Sequence, residues 1–152
     1  MLAKNKLKEQ DAVFLPADFD YYSDMSSKGM EIIEKYADVF EYVGRDEAYL
    51  DVTKKTEMSF DNAEHLAQQL KNEIRNSLKL TCSIGISPNK LLSKIASDFK
   101  KPDGLTTVKP EQVEQFLSPL KIREIPGIGK KTEDVFTPVS YTHLTLPTNR
   151  EV

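Results

Sequence analysis

The chain has 152 residues, 39% apolar and 30% charged, which is material for one domain with a real core or for one domain and part of a second. No apolar run approaches the length that spans a bilayer, and the basic start, Met1 to Lys8, leads into no apolar signal segment; the single cysteine, Cys82, excludes a disulfide framework and a thiolate zinc site and fits a reducing cytoplasm. The formal net charge of −3 conceals an asymmetry: residues 1–78 carry 10 Lys/Arg against 16 Asp/Glu and residues 79–131 carry 10 against 5, which points to a polyanion partner for the second part or to no more than a solvated face.

Val13-Phe-Leu-Pro16 reads as a short strand stopped by proline. From Tyr22 to Tyr36 the apolar positions Met25, Met30, Ile33 and Tyr36 recur at near-helical spacing and predict a helix. Two β-rich runs, Val39–Val43 and Ala48–Val52, flank Gly44-Arg-Asp-Glu47 and predict a hairpin with a short acidic turn. Asp61 or Asn62 can cap a long amphipathic helix that reaches Ser77 with Leu66, Leu70 and Ile74 on one face. Thr81–Ile86 is the next strand, with Cys82 as a small apolar filler of the core. Ser87 then caps a helix that has Pro88 at its first position and runs to Phe99. A turn at Lys101-Pro-Asp-Gly104, a strand over Leu105–Val108 and a helix over Pro110–Leu117 follow, and then Ile125-Pro-Gly-Ile-Gly129. This order predicts an α+β fold, one mixed sheet with helices packed against it.

Val139-Ser-Tyr-Thr-His-Leu-Thr-Leu-Pro-Thr148 has no helical period, no alternation and no turn logic. It equals the translation of GTC TCT TAT ACA CAT CTG ACG CTG CCG ACG, which resembles a transposon adapter used in sequencing libraries. Residues 137–152 are therefore expected to be a non-native tail, and His143 has no functional weight.

Three places carry chemistry. Asp46 and Glu47 are adjacent carboxylates at a hairpin tip, which repel unless a cation joins them. Mg²⁺ suits them, because it takes carboxylate oxygens and keeps waters or phosphates in its other positions. Neighbours on a regular strand point to opposite faces, so joint coordination needs a turn or a distorted backbone, and taken alone the pair reads more simply as an exposed polar turn. The second is Ile125–Gly129 with Lys130 and Lys131. Gly127 and Gly129 permit a tight turn whose N–H groups face a phosphate at a helix start, and the lysines add charge; this is the helix-hairpin-helix signature of DNA-backbone binding. The third is Lys101, fixed at a rigid turn where it can meet a triphosphate or a phosphodiester, or simply solvent. Lys90 and Lys94 share a helix face and serve a phosphate site or solubility. Ser83–Lys90 lacks the glycine-lysine spacing of a phosphate loop, and His65 is a surface histidine.

Arg45-Asp-Glu-Ala-Tyr-Leu-Asp-Val52, Ser83-Ile-Gly-Ile-Ser-Pro-Asn-Lys-Leu-Leu-Ser-Lys-Ile-Ala-Ser-Asp98, Lys101-Pro-Asp-Gly104 and Ile125-Pro-Gly-Ile-Gly129 together resemble a Y-family translesion DNA polymerase of the polymerase IV, UmuC-like type, from about Asn5 to Phe136. The resemblance implies a partial palm over residues 1–108, a partial thumb with helix-hairpin-helix over 109–136, and the tail over 137–152. It implies template-directed addition of deoxynucleotides to a primer 3′ end, with two Mg²⁺ in the complete enzyme. Asp46 and Glu47 take the catalytic, metal-binding role, Lys101 contacts the incoming nucleotide's phosphates, and Gly127, Gly129, Lys130 and Lys131 grip the primer-template backbone. Asp51, in the same run, has at most a supporting role. Primer-template DNA and deoxynucleoside triphosphates are the implied partners of a cytoplasmic monomer with no membrane association; a sliding clamp would engage regions beyond this chain. The family's further metal-binding aspartate and its fingers lie before the position of Met1, and the rest of the thumb and the little finger lie after Phe136, so the chain is expected to be a central piece, inactive alone. Gly44-Arg45 stands where many members have a serine and an apolar residue. The rival readings are a palm-fold nucleotide cyclase, which has no DNA to hold, and a non-catalytic helix-hairpin-helix module.

Overall fold

A computed structural model describes residues 13–136. Helix α1 (Phe19–Glu34) begins at Asp18, whose carboxylate accepts from the Tyr21 N–H at 3.0 Å. Its Ile32 is buried against Leu70 and Ile74 of α2 (Phe60–Leu78), and Ile33, Tyr36 and Leu50 pack around them. Burial on α2 falls at Ala63, Ala67, Leu70, Lys71 and Ile74, the stripe that 3.6-residue periodicity requires. The Tyr36 hydroxyl donates to Glu73 at 2.6 Å, tying the end of α1 to α2; that bond and partial burial push the phenol up to about 12.

Strands β1 (Val39–Gly44) and β2 (Glu47–Asp51) form the expected antiparallel hairpin. The register pairs Phe40 with Leu50, Glu41 with Tyr49 and Tyr42 with Ala48, then slips, so that Gly44 rather than Val43 opposes Glu47. The bulge falls on β1 at Val43, and Asp46 lies in the turn Arg45–Asp46 rather than in a strand, so strand alternation does not fix its side chain opposite that of Glu47. Strand β3 (Ile84–Ile86), helix α3 (Lys90–Phe99) and strand β4 (Leu105–Thr107) form a parallel β-α-β unit, with Ile84 beside Leu105 and Ile86 beside Thr107. Gly85 is where α3 lies directly on β3: a Cβ there would stand 2.0 Å from the Ser93 carbonyl oxygen and 2.5 Å from the Ser97 nitrogen. A 3₁₀ turn (Pro110–Gln112), α4 (Val113–Leu117), a second 3₁₀ turn (Ile122–Glu124) and α5 (Lys130–Phe136) complete the described chain. Phe116 of α4 meets Phe99 of α3 edge-on, ring centroids 5.4 Å apart.

The α+β class holds, with four local differences from the sequence reading. Residues 13–16 form no strand: Val13 and Leu15 are more than four-fifths exposed, and a strand exists only where a neighbour pairs with it. The α2 cap is Ser59, not Asp61 or Asn62, and the α3 cap is Asn89, not Ser87. Asn89 accepts from the Leu92 N–H at 3.0 Å, while the Ser87 hydroxyl turns to the Asn89 carbonyl and the Ser93 hydroxyl. Pro88 thus lies before the helix. Finally, the strands form two ladders rather than one sheet, β1–β2 antiparallel and β3–β4 parallel. A cleft of about 520 Å³ is lined by Glu47–Leu50 on one side and Thr81–Ile86 on the other. Cys82 is half-buried beside the core, and burial pushes its thiol up, as suits a packing residue. The proposed tail, residues 137–152, and the start of the chain lie outside the described residues.

Candidate active site

The hairpin tip consists of Arg45 and Asp46, exposed, with Glu47 as the first residue of β2. Asp46 makes no ion pair or hydrogen bond among the described residues, so its carboxylate is open to a cation. Glu47 pairs with Lys94, whose side chain is 23% exposed. The hydrogen bond to Glu47 is the main cause that holds the Lys94 ammonium above its ordinary pKa, with Asp98, 3.8 Å away, adding to it. One helical turn earlier on α3, Lys90 pairs with Glu41 and lies 5.8 Å over the Tyr49 ring. The hairpin face of Glu41, Glu47 and Tyr49 is therefore answered by one lysine face of α3. The spacing of Lys90 and Lys94 was visible in the sequence; their partners, almost fifty residues away, were not.

Lys101 lines the same cleft as Asp46, Glu47 and Lys94. Its ammonium pairs with Asp98 at 2.5 Å, both side chains about half exposed, and such a pair contributes little and yields readily to another anion. The fold thus gathers Asp46, Glu47 and Lys101 from the hairpin and the turn after α3. Asp51 does not line this cleft: its carboxylate accepts from the Thr53 N–H at 2.9 Å, and hydrogen bonds from the Thr53 side chain and then its backbone hold its pKa down. His65 is exposed on α2, as expected. No group of three or more His, Cys, Asp or Glu suited to a metal occurs among the described residues, so the hairpin contributes its carboxylates as a pair.

The glycine hairpin forms a separate place. Gly127 has φ +90°, a left-handed conformation that a side chain would strain. Gly129 has no such demand; space beside it is open, which leaves the backbone before α5 bare. The first helical bonds run from Thr132 and Glu133 N–H to the Gly129 carbonyl, both 3.0 Å, so the N–H groups of Lys130 and Lys131 precede them. Both lysine side chains are exposed and enter no ion pair among the described residues. Arg123 and Glu133 approach to 3.9 Å across the turn. A groove lined by Ile95, Phe99, Leu120 and Ile128 runs between α3 and this hairpin.

The chain thus offers a carboxylate pair beside lysines in one place and a glycine hairpin with bare N–H groups in another, and the comparisons give the family. Residues 1–98 match the impB/mucB/samB family and residues 110–138 the IMS family HHH motif. The chain belongs to the impB/mucB/samB family, and the Y-family resemblance is borne out. It is 72% identical over 138 residues to DNA polymerase IV of Nitrosopumilus maritimus (strain SCM1), covering 90% of this chain and 38% of that protein. Its fold is similar to the crystal structure of DinB from Sulfolobus solfataricus, with a TM-score of 0.87 at 37% identity, over 93% of this chain and 42% of that one. An insertion ternary complex of Dbh DNA polymerase is similar to the same degree, TM-score 0.87, with 41% of that chain covered. The chain spans about two fifths of the length of these proteins. No helix among the described residues is long and apolar enough to cross a membrane.

Proposed function

We propose that this chain is the palm-to-thumb portion of a template-directed, error-tolerant DNA polymerase, with palm over residues 1–108 and thumb over 109–136. The observation that carries the reading is the partnerless Asp46 carboxylate, on a bulged hairpin tip beside Glu47, at the cleft that Lys94 and Lys101 also line. The donor chemistry suits Mg²⁺: adjacent hard carboxylate oxygens, one of them unpaired and exposed, with room for waters and phosphates. Asp46 and Glu47 would hold the metal, and two ions are expected in the complete enzyme. Bound there, Mg²⁺ supplies charge stabilisation to the phosphoryl group as the primer 3′-hydroxyl displaces pyrophosphate.

The chain's own residues divide the remaining work. Lys101, held only by an exposed pair with Asp98, exchanges that carboxylate for the phosphates of an incoming deoxynucleoside triphosphate. Lys94 keeps Glu47 in place from below. Gly127, Gly129, Lys130 and Lys131 hold the primer-template backbone through N–H groups and charge, without reading sequence. The working form is a cytoplasmic monomer on DNA.

The test uses a hybrid in which residues 1–136 replace the matching stretch of the Nitrosopumilus maritimus DNA polymerase IV, 72% identical to this chain. The hybrid should extend a primer with Mg²⁺ and four nucleotides. Asp46→Ala should abolish extension while DNA affinity stays near that of the parent hybrid. Retention of more than about a tenth of the rate, a loss under roughly 1.4 kcal/mol, would mean that Asp46 is not a metal-binding catalytic residue.

A further inference from the structure

Lys71, the single lysine of α2, is buried, its side chain 8% exposed. Its ammonium donates to the Cys82 carbonyl at 2.6 Å, the Asp103 carboxylate at 2.6 Å and the Asp103 carbonyl at 3.0 Å, with the Gly104 carbonyl at 3.3 Å. One cation therefore joins the chain just before β3 to the chain just before β4. Arg75, one turn along α2, pairs with the other oxygen of the same carboxylate. Asp103 itself has φ +61°, and a Cβ at Gly104 would stand 2.4 Å from the Lys100 carbonyl oxygen, so the turn is tightly drawn. Gly104 is also held on both sides, its N–H by the Ser83 hydroxyl at 3.1 Å and its carbonyl by the Ile84 N–H at 3.0 Å.

This is the turn that carries Lys101. The Lys101 side chain has one exposed partner of its own, Asp98, so its place in the cleft comes from the backbone beneath it. A buried ammonium is a poor way to gain stability, since a packed apolar side chain often does as well; what it contributes is a fixed geometry. We propose that Lys71, with Asp103, is the positioning residue that sets Lys101 for the nucleotide's phosphates. The inference rests on the reading of Lys101 given above and deepens it: the nucleotide-binding lysine is aimed by a second cation that never touches the substrate.

The experiment is steady-state single-nucleotide insertion by the hybrid polymerase, with KM for the nucleotide, kcat, DNA affinity and unfolding midpoint measured for each variant. Lys101→Ala tests the underlying reading, and Lys71→Met, Lys71→Arg and Asp103→Asn test the positioning. Lys71→Met keeps the stem and removes the charge; it should raise KM for the nucleotide about tenfold, with DNA affinity unchanged. Lys71→Arg should recover most of that loss. In a Lys101→Ala background, Lys71→Met should add less than about twofold, because it acts through the lysine already removed. Asp103→Asn tolerates the left-handed backbone and keeps an acceptor oxygen, so it carries the same comparison should Lys71→Met fail to fold; an effect of about threefold is expected. A Lys101→Ala enzyme with unchanged KM would overturn the reading of Lys101. A raised KM in Lys101→Ala together with unchanged KM in Lys71→Met or Asp103→Asn, or effects that multiply in the double variant, would overturn the positioning alone.

Discussion

Gly85→Ala tests the packing that brings the lysine face of α3 to the hairpin. The added methyl would lie 2.0 Å from the Ser93 carbonyl oxygen, 2.5 Å from the Ser97 nitrogen and 2.9 Å from the Ala96 Cβ. Close carbon–oxygen approaches in proteins are about 3.3 Å or longer, so α3 and β3 must part by more than about 1 Å. No flexible side chain can absorb this, because two of the three neighbours are helix backbone and the third, Ala96, is fully buried. The cost falls at or above the top of the usual range for overpacking, about 3 kcal/mol. For a domain of this size Tm moves roughly 3–4 °C per kcal/mol, so a fall of about 10 °C is expected in a circular-dichroism melt of the 152-residue chain. Gly44→Ala is the matched control: it lies on a strand, with nothing within 4 Å of its Cβ position and no positive φ. It should change stability by no more than about 0.5 kcal/mol. A Gly85→Ala melt within about 3 °C of the parent would show that α3 does not rest on β3 as described.

Two further outcomes follow from named contacts. Asn89→Ala should cost about 1 kcal/mol in urea unfolding, and Ser87→Ala distinctly less, since only Asn89 caps Leu92; the reverse order would place the cap at Ser87. The Asp103 carboxyl is held below the ordinary Asp range, first by the Lys71 hydrogen bond and then by the charges of Lys71 and Arg75. A depressed folded-state pKa gives stability that is present above the ordinary value, about 3.9, and lost as pH falls through the folded one. The gap in urea midpoint between the parent chain and Asp103→Asn should therefore be full at pH 6 and close below that range; a gap independent of pH would refute the assignment.

The parts of the fold that local pattern dictates were legible in the sequence. The β-rich runs Val39–Val43 and Ala48–Val52 on either side of a short acidic turn pointed to the hairpin, and the spacing of Leu66, Leu70 and Ile74 to α2. Helix caps were legible only to within three residues, because Ser59, Asp61 and Asn62, or Ser87 and Asn89, are all competent acceptors, and backbone dihedrals choose among them. The pairing of β3 with β4 was not legible, since it joins Ile84 to Leu105 across a whole helix, and neither was the lack of a strand over residues 13–16. Lys71 was hidden for a different reason: lysine is almost never fully buried, and only the Asp103 carboxylate with the carbonyls of Cys82, Asp103 and Gly104, brought together by the fold, makes its position tenable.

The charge asymmetry takes on a narrower meaning once the partners are known. Much of the basic excess of residues 79–131 is answered inside the fold: Lys90 by Glu41, Lys94 by Glu47, Lys101 by Asp98 and Lys109 by Asp61. Three of those four pairs reach back to carboxylates of the acidic first half, so part of the asymmetry is the two halves holding each other. Among the described residues of this stretch, Lys79, Lys100, Lys121, Lys130 and Lys131 enter no ion pair, and two of these five flank the bare backbone after Gly129. A polyanion attracted by net charge alone would be spread over the second half. The arrangement instead leaves two adjacent unanswered lysines at the glycine hairpin, and keeps at the cleft a lysine, Lys101, with a single exposed partner that another anion can replace.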